Sequence, residues 1–135
     1  MFLIVKKNQL MLALLLVLLV AMAFVVSAAG RSGEEDACRR YLSSLGYIPK
    51  ELTGREKTTL PSVFDETLET YNALQKEAGF DLSSYRGKTL MRMSFTLEDE
   101  HELIAHLFLS GEAICGGDIC NPALDGYMLP LLARE

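Results

Sequence analysis

An unbroken apolar run near the N-terminus constrains this chain more than any other feature. The run extends from Leu10 to Val26 and contains 17 residues without a charged side chain. With the small residues beside it, the segment reaches about 20 residues, which as a helix just spans a hydrocarbon layer of about 30 Å. A soluble domain of this size would not need so long an apolar helix. We therefore predict that residues 1–29 are a signal anchor or a signal peptide.

Two alternatives are open for this segment. Ser27-Ala28-Ala29 offers small residues at the positions that signal peptidase reads, so cleavage near Ala29 would release a secreted domain. The apolar run exceeds the usual core of a signal peptide, about 7–15 residues, which favours an uncleaved anchor. The positive-inside rule keeps Lys6 and Lys7 in the cytoplasm. The predicted location is the cell membrane, single pass, with the C-terminal domain outside.

The chain beyond residue 29 is acidic. Lys6 and Lys7 are the only charged residues before that point, so 11 of the 13 basic residues and all 18 acidic residues follow, a formal net charge of −7. Such a surface repels phosphate backbones and anionic lipid headgroups. We therefore expect no nucleic-acid binding, and membrane contact only through the N-terminal helix. The remaining length suffices for one small domain with one core.

We divide that remainder into a tether, residues 30–36, and an extracytoplasmic domain, residues 37–135. Apolar side chains recur at helical spacing in residues 34–47 and again in residues 62–80. In the second helix Ser62 and Asp65 resemble a capping box, and Gly79 followed by Phe80 is typical of a helix end.

The second half of the domain changes to the period of a strand. Residues 88–97 alternate apolar and polar side chains, residues 103–109 are nearly all apolar, and residues 112–115 continue as a third strand. The polar residues 47–61 are predicted to form a weak edge strand at most. The predicted fold is α+β: two helices packed on one face of a three- to four-stranded antiparallel sheet, preceded by the N-terminal helix.

The stretch AICGGDICNPALDGYM, residues 113–128, is the least like ordinary packing. We expect the strand to end at two glycines, which permit either a turn or a close approach of the backbone to a ligand. Asp118 and Asp125 would be either turn residues or a pair of carboxylates that binds an ion or acts as acid and base. The alternating spacing of acidic residues in a calcium-binding loop is missing. We predict that this loop is the contact surface for a partner, formed by Gly116, Gly117, Asp118, Asp125 and Tyr127.

Cys115 and Cys120 allow three interpretations. Outside the cell, a disulfide between them would close a short loop and stabilise the fold by about 2 kcal/mol. A zinc site would need Cys38, His101 or His106 as further ligands, and the two histidines are expected on opposite faces of a strand. The third interpretation is small buried apolar side chains. We predict no metal and no cofactor.

Several short motifs follow one another between residues 40 and 130: Phe64-Asp65, Tyr71-Asn72, Leu74-Gln75-Lys76, Gly79-Phe80-Asp81-Leu82, Tyr85-Arg86-Gly87-Lys88, Gly116-Gly117-Asp118-Ile119-Cys120 and Leu124-Asp125-Gly126. Together they resemble an uncharacterised Firmicutes family of short proteins that carry one domain of unknown function behind an N-terminal membrane segment. The resemblance implies that location and no particular activity. Cys115 is less typical of the pattern than Cys120, which weakens the disulfide hypothesis.

The sequence therefore predicts a membrane-anchored extracytoplasmic module that binds a protein or another component of the cell envelope. One alternative is an inhibitor or regulator of an envelope protease or signalling protein, which is an analogy at the level of fold alone. Another is a thiol-dependent enzyme or redox protein that uses Cys120 with His106. No catalytic signature is present, and the chain is not expected to be an enzyme.

Overall fold

A computed structural model describes residues 31–122 and 127–134 of the chain. In that part of the chain, no helix is long and apolar enough to cross a membrane. The predicted anchor, residues 1–29, lies outside the described residues, and so does Asp125.

The first helix, α1, extends from Arg31 to Ser44. It therefore includes residues 31–36, which were predicted to be a tether. Ala37, Cys38 and Leu42 form its buried face. The helix ends before Gly46, which has a positive φ of 93° and lets the Tyr47 amide donate to the Leu42 carbonyl at 3.0 Å.

The second helix, α2, extends from Glu66 to Glu77. Asp65 is its N-cap, because the Asp65 carboxylate accepts a hydrogen bond from the Leu68 amide at 2.8 Å. The predicted capping box with Ser62 is thus wrong by three residues. The predicted end is confirmed: Gly79 has a φ of 88°, and the Phe80 amide donates to the Gln75 carbonyl at 3.0 Å.

A short 3-10 turn, Leu82–Tyr85, follows α2 and is tied to it by a buried amide. The side chain of Asn72 accepts from the Leu82 amide at 2.7 Å and donates to Asp81 at 2.9 Å. Hydrogen bonds from Asn72 and Ser83 lower the pKa of Asp81 to about 2. These contacts fix the turn against the helix.

Five strands form one antiparallel sheet in which each strand pairs with the next in the chain. They are β1 Pro49–Thr59, β2 Thr89–Leu97, β3 Ile104–Ser110, β4 Ala113–Asn121 and β5 Tyr127–Pro130. The predicted α+β class is confirmed, but the sheet has five strands rather than three or four. The polar segment predicted as a weak edge strand at most is an 11-residue edge strand, β1. The strand predicted to end at the two glycines continues to Asn121.

The two helices lie on opposite faces of the sheet, not on one face as predicted. One apolar cluster joins α1 to side chains such as Met93, Leu107 and Ile119. The other joins α2 and the 3-10 turn to Leu90, Phe108 and Met128. The nearly unbroken apolar sequence of β3 is explained by this arrangement, because a strand between two helical layers has both faces buried.

Candidate functional site

The sheet face beneath α2, which we call the α2 face, carries an unusual number of buried polar side chains. On the strands they include Thr58 on β1, Arg92 on β2, His106 on β3 and Asp118 on β4, each less than 9 % exposed. The strand register explains why these residues share a face. Ser94, two residues from Arg92, pairs with His106, and His106 pairs with Asp118.

Asp118 is the centre of this group and has no exposed surface. Its two carboxylate oxygens have different partners. The Tyr71 hydroxyl of α2 donates to Oδ2 at 2.5 Å, and His106 Nδ1 lies 2.8 Å from Oδ1. Burial alone would raise the pKa of Asp118, but the charge and hydrogen bond of His106, the Tyr71 hydroxyl and the charge of Arg92 lower it below its usual value. Asp118 is therefore a buried carboxylate stabilised by its neighbours.

Tyr71, on α2, is bound to the same carboxylate through its hydroxyl group. It is 1 % exposed, and its ring packs edge-on against Phe108 with 6.4 Å between the centroids. Burial and the nearby charge of Asp118 raise the pKa of Tyr71 well above its usual value. The phenol therefore stays protonated and acts as a hydrogen-bond donor that connects α2 to the sheet.

The two glycines of the predicted contact loop are buried positions within β4. The Gln75 side chain of α2 accepts a hydrogen bond from the Gly117 amide at 2.8 Å. A Cβ atom at Gly116 would lie 2.8 Å from Gln75 Oε1, and one at Gly117 would lie 2.3 Å from the His106 carbonyl oxygen. The glycines are needed for close packing against α2 and against the neighbouring strand β3, and they form no open ligand cradle.

This placement corrects the predicted partner surface. Gly116, Gly117 and Asp118 are buried, so they cannot contact a partner protein directly. Asp125 lies outside the described residues. Tyr127, at the start of β5, is the member of the predicted set that the structure places at the surface, with 43 % of its area exposed.

Arg92 differs from its neighbours on this face, because no described residue forms a hydrogen bond or a salt bridge with its guanidinium group. It is 5 % exposed, and its Nε atom is completely buried without a hydrogen bond. Among the described residues, no carboxylate lies within 4.0 Å of the guanidinium. The charge of Arg92 nevertheless acts on its surroundings, since it contributes to the lowered pKa of Asp118 and partly offsets the rise that burial causes in the pKa values of Tyr71 and Cys120.

The three cysteines are buried and free. Cys115 and Cys120 lie five residues apart on β4, a separation on the order of 15 Å in an extended strand. A disulfide needs Cα atoms within about 7 Å, so the structure contradicts the predicted Cys115–Cys120 bond. Burial raises the pKa of Cys38 to about 12 and, with the charge of Asp118, that of Cys120 to about 11. In the described part of the chain, no group of three or more ligating side chains is arranged to hold a metal ion.

Several residues of this site were not singled out by the sequence. Arg92 alternates with Met91 and Met93, and such a pattern places it on a solvated face. Tyr71 and Gln75 fit the buried side of an amphipathic helix and give no sign of their hydrogen bonds. The sequence does not indicate that a second helix covers this face of the sheet. A polar strand face is buried only when another element covers it.

Comparisons with known proteins add no functional assignment. No protein-family model matches the chain, and no curated protein or solved structure matches it either. The described residues thus define an α+β domain with a five-stranded meander between two helical layers and a buried Asp118–His106–Tyr71 cluster.

Proposed function

We propose that this protein is a membrane-anchored extracytoplasmic module that binds a protein partner of the cell envelope at the free edge of β5. The observation that carries the proposal is a group of large apolar side chains exposed on β5 and just after it. Tyr127 and Leu129 on β5 are 43 % and 40 % exposed, and Leu132, two residues beyond the strand, is 45 % exposed. The anchored, extracytoplasmic location rests on the apolar run of the N-terminal segment.

The geometry of β5 suits the addition of a further strand. β5 is the last strand in the sheet order, so one side of its backbone has no partner strand among the described residues. Tyr127 and Leu129 are two residues apart and therefore point to the same side of the sheet. An extended peptide that pairs with such an edge gains backbone hydrogen bonds, and alternate side chains give it specificity. Natural sheet edges are protected by charges, by proline or by short length; β5 has no charged side chain, but it has four residues and ends in Pro130, so a partner strand would pair with a short segment only.

The thiol-dependent alternative is less well supported. Cysteine reacts as the thiolate, and the raised pKa values of Cys38 and Cys120 leave little thiolate at neutral pH. His106 directs Nδ1 at Asp118, and no hydrogen bond joins it to a described cysteine. A binding surface at β5 needs none of these groups to react.

Photocrosslinking in intact cells would test the proposal. A photoreactive amino acid at position 127 or 129 should give one defined protein adduct. The same residue at position 57, exposed on the opposite edge strand β1, should not give that adduct. Leu129→Thr should then weaken capture at position 127, whereas Val63→Thr should not, although Val63 is 80 % exposed. Equal adducts from both edges, or equal loss in both variants, would rule out the β5 edge.

A further inference from the structure

The buried guanidinium of Arg92 is the feature of the α2 face that the proposed function does not use. Arginine has five N–H donors and no acceptor. A charged group so far removed from water is normally paired, because an unpaired one is costly to bury. In the described residues neither a hydrogen-bond acceptor nor a carboxylate pairs with Arg92. The buried Nε–H is therefore an unmet donor, and it points to a binding partner that is not one of these residues.

The strand register shows which residues are the neighbours of Arg92. Glu56 is directly opposite Arg92 on β1, yet none of its oxygens is within 4.0 Å of the guanidinium, and its buried Oε2 has no partner. The charge of Arg92 instead acts on Asp118 and Cys120, both on β4. Arg92 Nε therefore stays unpaired, although a carboxylate side chain lies opposite it on the same face of the sheet.

His106 offers a second donor beside it. Arg92 and His106 are diagonal neighbours across β2 and β3, a spacing of about 7–8 Å that a long side chain bridges. Asp118 holds His106 by Nδ1, and 11 % of the His106 side chain remains exposed. Among the described residues nothing bonds to Nε2. In the protonated ring, Nε2–H is free to donate to an anion while Nδ1–H donates to Asp118.

Several small residues lie next to these two donors. Gly54, Ser94 and Thr96 lie on the same face and are only partly buried. A Cβ atom added at Gly54 would make only ordinary contacts, at 3.6 Å from Ser94 Oγ. The same Cβ atom would lie 3.9 Å from Glu56 Oε1, so this side is bordered by short side chains and by one carboxylate.

We propose that Arg92 and His106 form a binding site for a small oxyanion, a carboxylate or a phosphate group. The planar guanidinium fork matches the paired oxygens of either group. Asp118 is a positioning residue, because it orients His106 without facing the ligand. This site is separate from the β5 edge and goes beyond the proposed function, so either proposal can fail without the other.

The test is a titration of the full 135-residue chain in detergent micelles, monitored by NMR at the Nε–Hε signal of Arg92. The probes are inorganic phosphate and succinate, with sodium chloride at matched ionic strength as the reference. A saturable shift of the Arg92 signal with either probe, but not with chloride, is expected. Response to one probe alone would identify the group that the site prefers.

Variants make the assignment specific. Arg92→Gln should weaken binding about tenfold or more, because hydrogen bonds to charged groups are lost. Arg92→Lys keeps the charge but loses the fork and should also weaken it. The matched control is Arg86→Gln, since Arg86 is an exposed arginine 3.8 Å from Glu69 and should not affect binding. Absence of any saturable shift in the wild-type chain would overturn the proposal, and so would unchanged affinity in Arg92→Gln.

Discussion

His106 and Asp118 face each other across β3 and β4, with 2.8 Å between Nδ1 and Oδ1 and no solvent in contact with the carboxylate. The other oxygen of Asp118 accepts from Tyr71, which belongs to α2. One carboxylate thus connects two strands and a helix. A buried carboxylate is tolerated only while its partners are in place. Loss of any of these partners should therefore destabilise the fold.

Replacing Asp118 by Asn should lower the free energy of unfolding at pH 7 by about 2–3 kcal/mol, because two charge-assisted hydrogen bonds are weakened. The effect should depend on pH. The pKa of Asp118 is lower in the folded chain than the value of about 3.9 in an unfolded chain. The stabilisation is therefore fully present above about pH 4 and is lost as the pH falls through the folded pKa.

Urea unfolding between pH 7 and pH 2.5 would measure this difference. The gap between wild type and Asp118→Asn should close on the acid side. Asp36→Asn is the control, because Asp36 is exposed on α1 and should change stability by less than about 0.5 kcal/mol. A constant gap over the whole pH range would mean that the carboxylate is not charged in the folded protein.

Removing the Tyr71 hydroxyl tests the connection between the helix and the sheet. Tyr71→Phe should cost about 1.5–3 kcal/mol, since Asp118 Oδ2 then loses its buried donor. Tyr47→Phe is the control, because no described residue accepts a hydrogen bond from the Tyr47 hydroxyl. In a double-mutant cycle, Tyr71→Phe and Asp118→Asn should couple by about 0.5–3 kcal/mol, measured by urea unfolding. Additive effects would show that the two side chains do not interact in solution.

The sequence predicts the elements of this fold better than it predicts their layers. The α2 helix, its end at Gly79, and strands β2 and β3 follow from hydrophobic period and from the chemistry of helix ends. The arrangement of the layers does not follow from the sequence. The hydrophobic period shows which residues of an element share a face, but it does not show what covers that face. β1 illustrates this, since a polar strand of 11 residues has no strong apolar pattern.

The candidate site shows the same limit more strongly. Asp118 follows two glycines in the sequence, and such a context is typical of a loop. Only the pairing of β4 with β3 and β5 makes it a strand residue, and only α2 makes it buried. Arg92 and Tyr71 lie 21 residues apart, and their common neighbourhood depends on long-range pairing that local patterns do not encode.

Gly117 should tolerate no side chain. In Gly117→Ala the new Cβ would lie 2.3 Å from the His106 carbonyl oxygen and 2.9 Å from Leu131 Cδ2. Because the first of these atoms belongs to the backbone, the clash should cost about 1–3 kcal/mol or more, measured as a fall in the free energy of unfolding. Gly54→Ala is the matched control in another strand, where contacts start at 3.6 Å. Equal stability of the two variants would show that β4 is not packed this closely.

The thiols give a direct test of the disulfide question. We expect all three cysteines to take up iodoacetamide in urea without any reductant, giving three carbamidomethyl groups by intact mass, because Cys115 and Cys120 are too far apart on β4 to bond. In the folded protein, uptake should be slow, since burial raises the pKa of Cys38 to about 12 and that of Cys120 to about 11. A parallel sample reduced before alkylation is the control and should have the same mass. A single modification in urea that rises to three after reduction would instead establish a disulfide, and β4 could not then be extended through both cysteines.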